Sequence, residues 1–145
     1  MKDFMKEAFK EAQKAYKKNE VPVGAIVVKN GKIIARGYNK KEKTNLATRH
    51  AEIIAIEKAC KKLKNWHLED CELYVTLEPC LMCCGAIIQS RIKKLYYGVK
   101  SDRFGYVESV DKLFNKNTHI MTEVRNLNDT ESLKILQDFF KNKRK

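Results

Sequence analysis

Three side chains in this sequence offer the soft donors that a transition metal selects. His50 opens the tripeptide His50-Ala51-Glu52, and Cys80 and Cys83 bracket the run Cys80-Leu81-Met82-Cys83 behind Pro79. Two cysteines three apart at a helix start can aim both sulfurs at one ion, and the positive end of the helix dipole favours thiolate over thiol. One imidazole from a second helix start completes a three-ligand set. Three protein ligands leave the fourth position of a tetrahedral zinc ion open for water. Glu52 stands two positions past His50, so it cannot lie beside the histidine on a helix surface. At a helix entrance it can instead reach the water without binding the metal. The set composes an activated hydroxide with an adjacent proton shuttle, one zinc ion per chain.

A purely structural zinc site would need a fourth ligand, and Cys84 is the candidate. Beside Cys83 on a helix it should point about 100° away. Cys60 and Cys71 read as buried small hydrophobes, and His67 and His119 as structural residues outside both motifs. Five cysteines, three of them crowded between positions 80 and 84, are unlike a disulfide framework and like a metal site in a reducing compartment.

Two helix starts must then be brought together. Residues 3 to 18 read as an amphipathic helix, with Phe4, Met5, Ala8, Phe9, Ala12, Ala15 and Tyr16 on one face and Asp3 as N-cap. Pro22 to Lys29 is an apolar strand, Asn30-Gly31 a two-residue hairpin turn, and Lys32 to Tyr38 the return strand. A polar, lysine-rich loop over 39–48 leads to a helix from about His50 to Leu63. Cys71 to Thr76 is a third strand, and a helix follows Pro79 toward Arg91. Leu95 to Val99, a short helix around Ser109 to Phe114, a strand at Ile120 to Val124 and a helix from about Thr130 to Lys143 complete the chain. This order predicts an α/β fold of three layers, one mixed five-stranded sheet with helices on both faces. No repeat, low-complexity tract or linker interrupts residues 1–145, so one domain is expected.

Composition sets the bounds. A chain of 145 residues can bury roughly 70% of its unfolded surface and needs no staples to hold a core. Hydrophobic residues at 43% and charged residues at 33% are an ordinary globular mixture. No apolar run approaches the roughly 20 residues of a membrane helix, and the first residues lack the apolar stretch and cleavage site of a signal peptide. A cytoplasmic, membrane-free protein is expected. Thirty basic residues against eighteen acidic ones give a net charge of +12, which favours a polyanionic partner such as nucleic acid. With twenty-four lysines to six arginines, a lysine-rich genome would leave the same imprint.

His-x-Glu placed about thirty residues ahead of Pro-Cys-x-x-Cys resembles the signature of the zinc-dependent nucleobase deaminases. The wider context narrows the resemblance. Asn19 to Ala25, Leu73 to Cys83, Gly85-Ala86, Ser90-Arg91-Ile92 and Phe139-Phe140-Lys141 are similar to the bacterial tRNA-specific adenosine deaminases, within the cytidine deaminase-like superfamily. That resemblance implies a cytidine deaminase-like fold and a homodimer. It implies conversion of the wobble adenosine of a tRNA anticodon to inosine: zinc-bound hydroxide attacks C6, Glu52 carries the proton to N1 and then to the exocyclic nitrogen, and ammonia leaves. It also implies that Asn39 hydrogen-bonds the base and that Val23 and Gly24 wall the pocket. Phe139 and Phe140, followed by Lys141, imply an aromatic and cationic surface for the anticodon stem-loop. Since one of two adjacent phenylalanines on a helix faces the core, one is expected to pack and the other to meet RNA.

Two stretches depart from the family pattern. Ala47-Thr48-Arg49 replaces a proline-threonine-alanine, so Arg49 either adds a phosphate contact beside the pocket or faces solvent. Lys100 to Ser109 has serine at 101 in place of an aspartate, and bulk at 106–108 in place of a glycine-rich turn. Two rival readings remain: a deaminase of a free base, nucleoside or nucleotide, which shares the metal site, and a non-catalytic zinc-stabilised RNA-binding module. The basic tail argues against the first, and an unliganded Glu52 argues against the second.

Overall fold

A computed structural model describes residues 3–116 and 120–143. Helix α1 (Phe4–Lys17) starts at Asp3, whose carboxylate accepts from the Lys6 N–H at 3.1 Å and satisfies one of the orphan amides of the first turn. Strands β1 (Gly24–Lys29) and β2 (Lys32–Tyr38) form the expected hairpin. Asn30 and Gly31 both take positive φ, 51° and 72°, as the tight turn that suits the twist of a hairpin demands. Then come a single-turn helix α2 (Lys41–Thr44), α3 (Ala51–Leu63), β3 (Cys71–Leu77), α4 (Leu81–Gln89), β4 (Lys94–Val99), β5 (Glu123–Asn126) and α5 (Thr130–Lys143).

The five strands make one mixed sheet in the order β2-β1-β3-β4-β5, antiparallel across β2-β1-β3 and parallel across β3-β4-β5. Alternation along β1 sends its side chains to two cores. Ile26 and Val28 meet Met5 and Ala8 of α1, whereas Ala25 and Val27 meet Ala51 and Ala55 of α3. α5 packs against α1 and β4, and α4 against α3. The sheet therefore carries helices on both faces. Gly37 allows a close approach on the α3 side: a Cβ there would stand 2.7 Å from the Ala51 carbonyl oxygen and 2.9 Å from the Ala55 nitrogen. α3 thus rests directly on β2, and this contact sets the height of the helix start that carries His50 and Glu52.

Three expectations need correction. The 39–48 loop contains α2, whose first amides are gathered by Glu20. The short helix expected around Ser109–Phe114 is confined to a 3₁₀ helix at Leu113–Asn115, because the Ser109 N–H is donated to the Glu78 carboxylate and the Val110 N–H to the Gly105 carbonyl. β5 begins at Glu123, three residues later than the apolar Ile120-Met121 suggested, since β4 pairs Lys94 with Glu123 and Leu95 with Val124. Met121 is 82% exposed. His119 lies outside the described residues.

One ion-pair cluster ties α1 to the edge strand. Arg36 reaches Glu7 at 2.7 Å and Glu11 at 3.4 Å, and Lys10 reaches Glu7 at 2.8 Å. Lys10, then Arg36, hold the Glu7 carboxyl down to about 2. A depressed folded pKa contributes stability that is fully present above the unfolded value and is lost as pH falls toward the folded one. Glu7→Gln is therefore expected to lower stability by about 1 kcal/mol at pH 7. Denaturant titrations of the two proteins should converge as pH drops from about 4.5 toward 2.

Candidate active site

The antiparallel-to-parallel sheet brings the starts of α3 and α4 side by side. His50 stands at the N-cap of α3 and Cys80 at the N-cap of α4, both with extended backbone and neither capping its helix through its side chain. Asn39 fills that role for α3, its Oδ1 accepting from the Ala51 N–H at 2.8 Å. The imidazole is thereby free to turn toward the cysteines. His50 Nδ1 lies 3.6 Å from Cys80 Sγ and 3.5 Å from Cys83 Sγ, and the three donor atoms all fall within 4.8 Å of one another.

Those distances can be tested against a metal. A tetrahedral zinc with a bond of about 2.05 Å to nitrogen and about 2.3 Å to sulfur places the two donors about 3.6 Å apart. The trio fits. It could hold a metal ion with no rearrangement of either helix start, and among the described residues no other cluster of this kind occurs. Cys84 is buried and its thiol donates to the Pro79 carbonyl at 3.6 Å, which turns it away from the trio. Cys71 is buried and Cys60 half-buried, and burial pushes both thiols up.

The electrostatics distinguish the two cysteines. Hydrogen bonding from the Cys83 thiol, aided by His50, brings the Cys80 thiol down to about 4 against the opposing effect of burial. Cys83, the donor in that pair and almost wholly buried, is pushed up. His50 rises above its usual value, chiefly through its contact with Cys80. Glu52, 4% exposed in the first turn of α3, is pushed up to about 7, with burial the largest cause and His50 and the Cys83 side chain opposing it. A carboxyl at that value can take or give a proton near neutrality.

Matches to known proteins now bear on this geometry. The MafB19-like deaminase family matches residues 1–144. A tRNA-specific adenosine deaminase from Aquifex aeolicus (strain VF5) is 43% identical over 141 residues, 95% of this chain and 92% of its own. The chain is a MafB19-like deaminase and belongs to the tRNA-specific adenosine deaminase family. A structure from a study of A-to-I editing by tRNA:A34 deaminases at the wobble position superposes with a TM-score of 0.88 at 44% identity, over 92% of this chain and 98% of that one. The guanine deaminase from Bacillus subtilis superposes with a TM-score of 0.66 at 34% identity, over 95% of this chain and 92% of that one.

In this deaminase the remaining sequence-predicted residues are spread more widely. Val23 is buried, and its carbonyl accepts from the Asn39 N–H at 3.2 Å, so Val23 and Asn39 are joined at the base of the hairpin. Arg49 is engaged just ahead of α3, where one terminal nitrogen contacts both Glu57 oxygens, at 2.9 and 3.0 Å. Its Nε is buried with no partner among the described residues. Phe139 packs edge-on against Tyr16 and is 7% exposed, whereas Phe140 is 46% exposed and Lys141 points to solvent beside it.

Two acidic residues of this deaminase were not singled out from the sequence for a role. Glu20 is buried and accepts from the Glu42 and Lys43 N–H groups at 3.0 and 2.9 Å. Glu78 is buried between β3 and Pro79 and gathers the Ser101, Val107, Glu108 and Ser109 amides and the Ser109 hydroxyl. Burial alone would raise its carboxyl, but those donors, Glu108 foremost, outweigh it and hold the group below the ordinary value. The available signal was a charged residue at the inner end of an apolar strand, where only a multiply hydrogen-bonded carboxylate is tolerated.

Proposed function

We propose that the 145 residues act as one catalytic domain that hydrolyses adenosine to inosine and ammonia at the wobble position of a tRNA anticodon. The observation that carries this reading is the buried Glu52 set against a three-donor metal trio, in a chain of this family. We read the metal as zinc, one per chain, held by His50, Cys80 and Cys83, and when bound it supplies the Lewis acidity that makes a water nucleophilic near pH 7. Glu52 accepts the proton released as water attacks C6. It passes that proton to N1, then takes the second proton from the new C6 hydroxyl and gives it to the departing amine, so that the two protons of water end on N1 and on ammonia. The carbonyl of Asn39 is committed to α3, which leaves its amide nitrogen as a donor toward the base. Val23 supports the Asn39 backbone from below.

The RNA reading rests on charge and on substrate form. A net charge of +12 suits a polyanion, and an anticodon loop presents bases already largely unstacked, which lowers the cost of extruding one. We assign Phe140 and Lys141 to the RNA-facing side of α5 and Phe139 to its packed side. We further read the protein as a cytoplasmic homodimer; the exposed Leu81 and Met82 at the start of α4 offer an apolar contact. No helix among the described residues is long and apolar enough to cross a membrane.

The test is inosine formation. An anticodon stem-loop with adenosine at the wobble position, incubated with zinc-loaded protein and sequenced, should convert at that position alone. The rate should fall steeply as salt rises, since each phosphate contact releases counterions. The likeness to a guanine deaminase favours a free base as the second reading. Turnover of guanine or another free base, with the stem-loop untouched, would select it.

A further inference from the structure

We propose that Thr76 is a positioning residue for the reaction: its buried hydroxyl ties the base of the β1–β2 hairpin to the strand that delivers Pro79 and Cys80, and so fixes Asn39 and the start of α3 against the metal trio. The role rests on the function proposed above and deepens it. Pairing between β1 and β3 ends at Ala25 opposite Val75. One residue further a side chain takes over, the Thr76 hydroxyl oxygen accepting from the Gly24 N–H at 3.1 Å. Thr76 is fully buried. An amide enclosed at that point has no solvent to turn to, so the hydroxyl is its acceptor.

From Gly24 the connection runs on to the other helix start. The carbonyl of the preceding residue, Val23, accepts from the Asn39 N–H at 3.2 Å. Asn39 Oδ1 in turn accepts from the Ala51 N–H at 2.8 Å, between His50 and Glu52. On the other side, β3 continues from Thr76 to Pro79 and Cys80. One hydrogen-bonded path therefore joins the strand that leads to Cys80 with the helix start that carries His50 and Glu52. Gly24 has no slack on its helix side: a Cβ there would stand 2.2 Å from the Ala8 carbonyl oxygen and 2.4 Å from the Ala12 nitrogen, so α1 lies directly on it. Valine has nearly the shape of threonine but no acceptor, and it would strand the Gly24 N–H between two strands. The hairpin base then shifts to find another partner, and Asn39 moves with it. Displacing the group that holds the base, while phosphate contacts elsewhere hold the RNA, costs rate more than affinity.

Kinetics on the anticodon stem-loop and amide hydrogen exchange by NMR, both on zinc-loaded protein, test the role. Thr76→Val is expected to lower kcat about tenfold, with KM within about twofold and zinc at one per chain. Thr76→Ser keeps the hydroxyl and should restore kcat to within about twofold of wild type, whereas Thr76→Ala should stay as slow as valine. Serine and alanine differ only by the oxygen, so that pair serves if valine does not fold. Thr76→Val combined with Asn39→Ala should be no slower than Asn39→Ala alone, since both changes act through one side chain. In Thr76→Val the Gly24, Asn39 and Ala51 amides should exchange about tenfold faster, while Ile26, within β1, keeps its rate. A merely structural hydroxyl would speed all amides alike and lower the melting temperature with kcat unchanged. That result overturns the proposal, as does a double variant slowed by the product of the two single effects. Zinc lost from Thr76→Val but kept by Thr76→Ser would put the hydroxyl in the service of Cys80 alone, and overturns it too. A wild-type chain that leaves the stem-loop unconverted brings down the RNA reading by itself, and the exchange pattern then still decides whether Thr76 holds Asn39.

Discussion

Glu52→Gln is expected to bind zinc and the anticodon stem-loop as the wild type does and to lose about 10³-fold in kcat. Glutamine preserves the volume of a side chain that is only 4% exposed, so neither a cavity nor a collapse of α3 accompanies the change. What it removes is the proton site. A carboxyl pushed up to about 7 by burial is matched to a reaction that must both withdraw a proton from water and return it to a leaving amine near neutral pH. An amide can do neither. The loss corresponds to about 4 kcal/mol of barrier. It should appear in kcat with KM nearly unchanged, because Glu52 is assigned to the proton and not to the RNA. Turnover within tenfold of wild type would remove Glu52 from proton transfer and shift the task to another group.

The metal motif was legible because its chemistry is local. His50, Cys80 and Cys83 each sit at or just inside a helix start, and a helix start can be read from a proline, a strand end and an apolar period. The hairpin was equally plain, since Asn30-Gly31 encodes its own geometry. The last helix was legible for the same reason, its apolar period running unbroken from Thr130 to Lys143. The connection from β4 to β5 was not. Its residues look like a short helix and a strand, but their amides are spent on Glu78, a partner more than twenty residues upstream. Single-chain periodicity registers local hydrogen bonding and is blind to a distant carboxylate that competes for the same N–H groups. The same blindness hid Glu20 behind α2, and it missed the contact of Arg49 with Glu57, which lies eight residues on, within α3. Which phenylalanine of the pair at 139 and 140 packs also depended on a remote ring, Tyr16 of α1.

Cys83→Ser is expected to lose zinc, and Cys84→Ser to keep it. The two neighbours differ in direction more than in burial, since both are buried. Cys83 Sγ lies 3.5 Å from His50 Nδ1, while the Cys84 thiol is engaged with the Pro79 carbonyl. Serine at 83 replaces a thiolate ligand by an alcohol that does not ionise near neutral pH, so zinc affinity should fall at least about a hundredfold. Serine at 84 can still donate to Pro79, and a change in stability of about 1 kcal/mol is the expected cost. Metal analysis after dialysis decides between them, and the reverse pattern would mean that the ligand register is off by one. The protons give an independent check. Without metal, Cys80 is already a thiolate and Cys83 retains its proton, while the contact with Cys80 raises His50 above its usual value. Binding zinc must expel the Cys83 proton and whatever His50 holds. The affinity of the wild-type chain should therefore rise with pH, with about one proton released per zinc from the cysteine pair near pH 7. In Cys84→Ser that release should be unchanged, whereas in Cys83→Ser the proton from the cysteine pair should vanish from the titration.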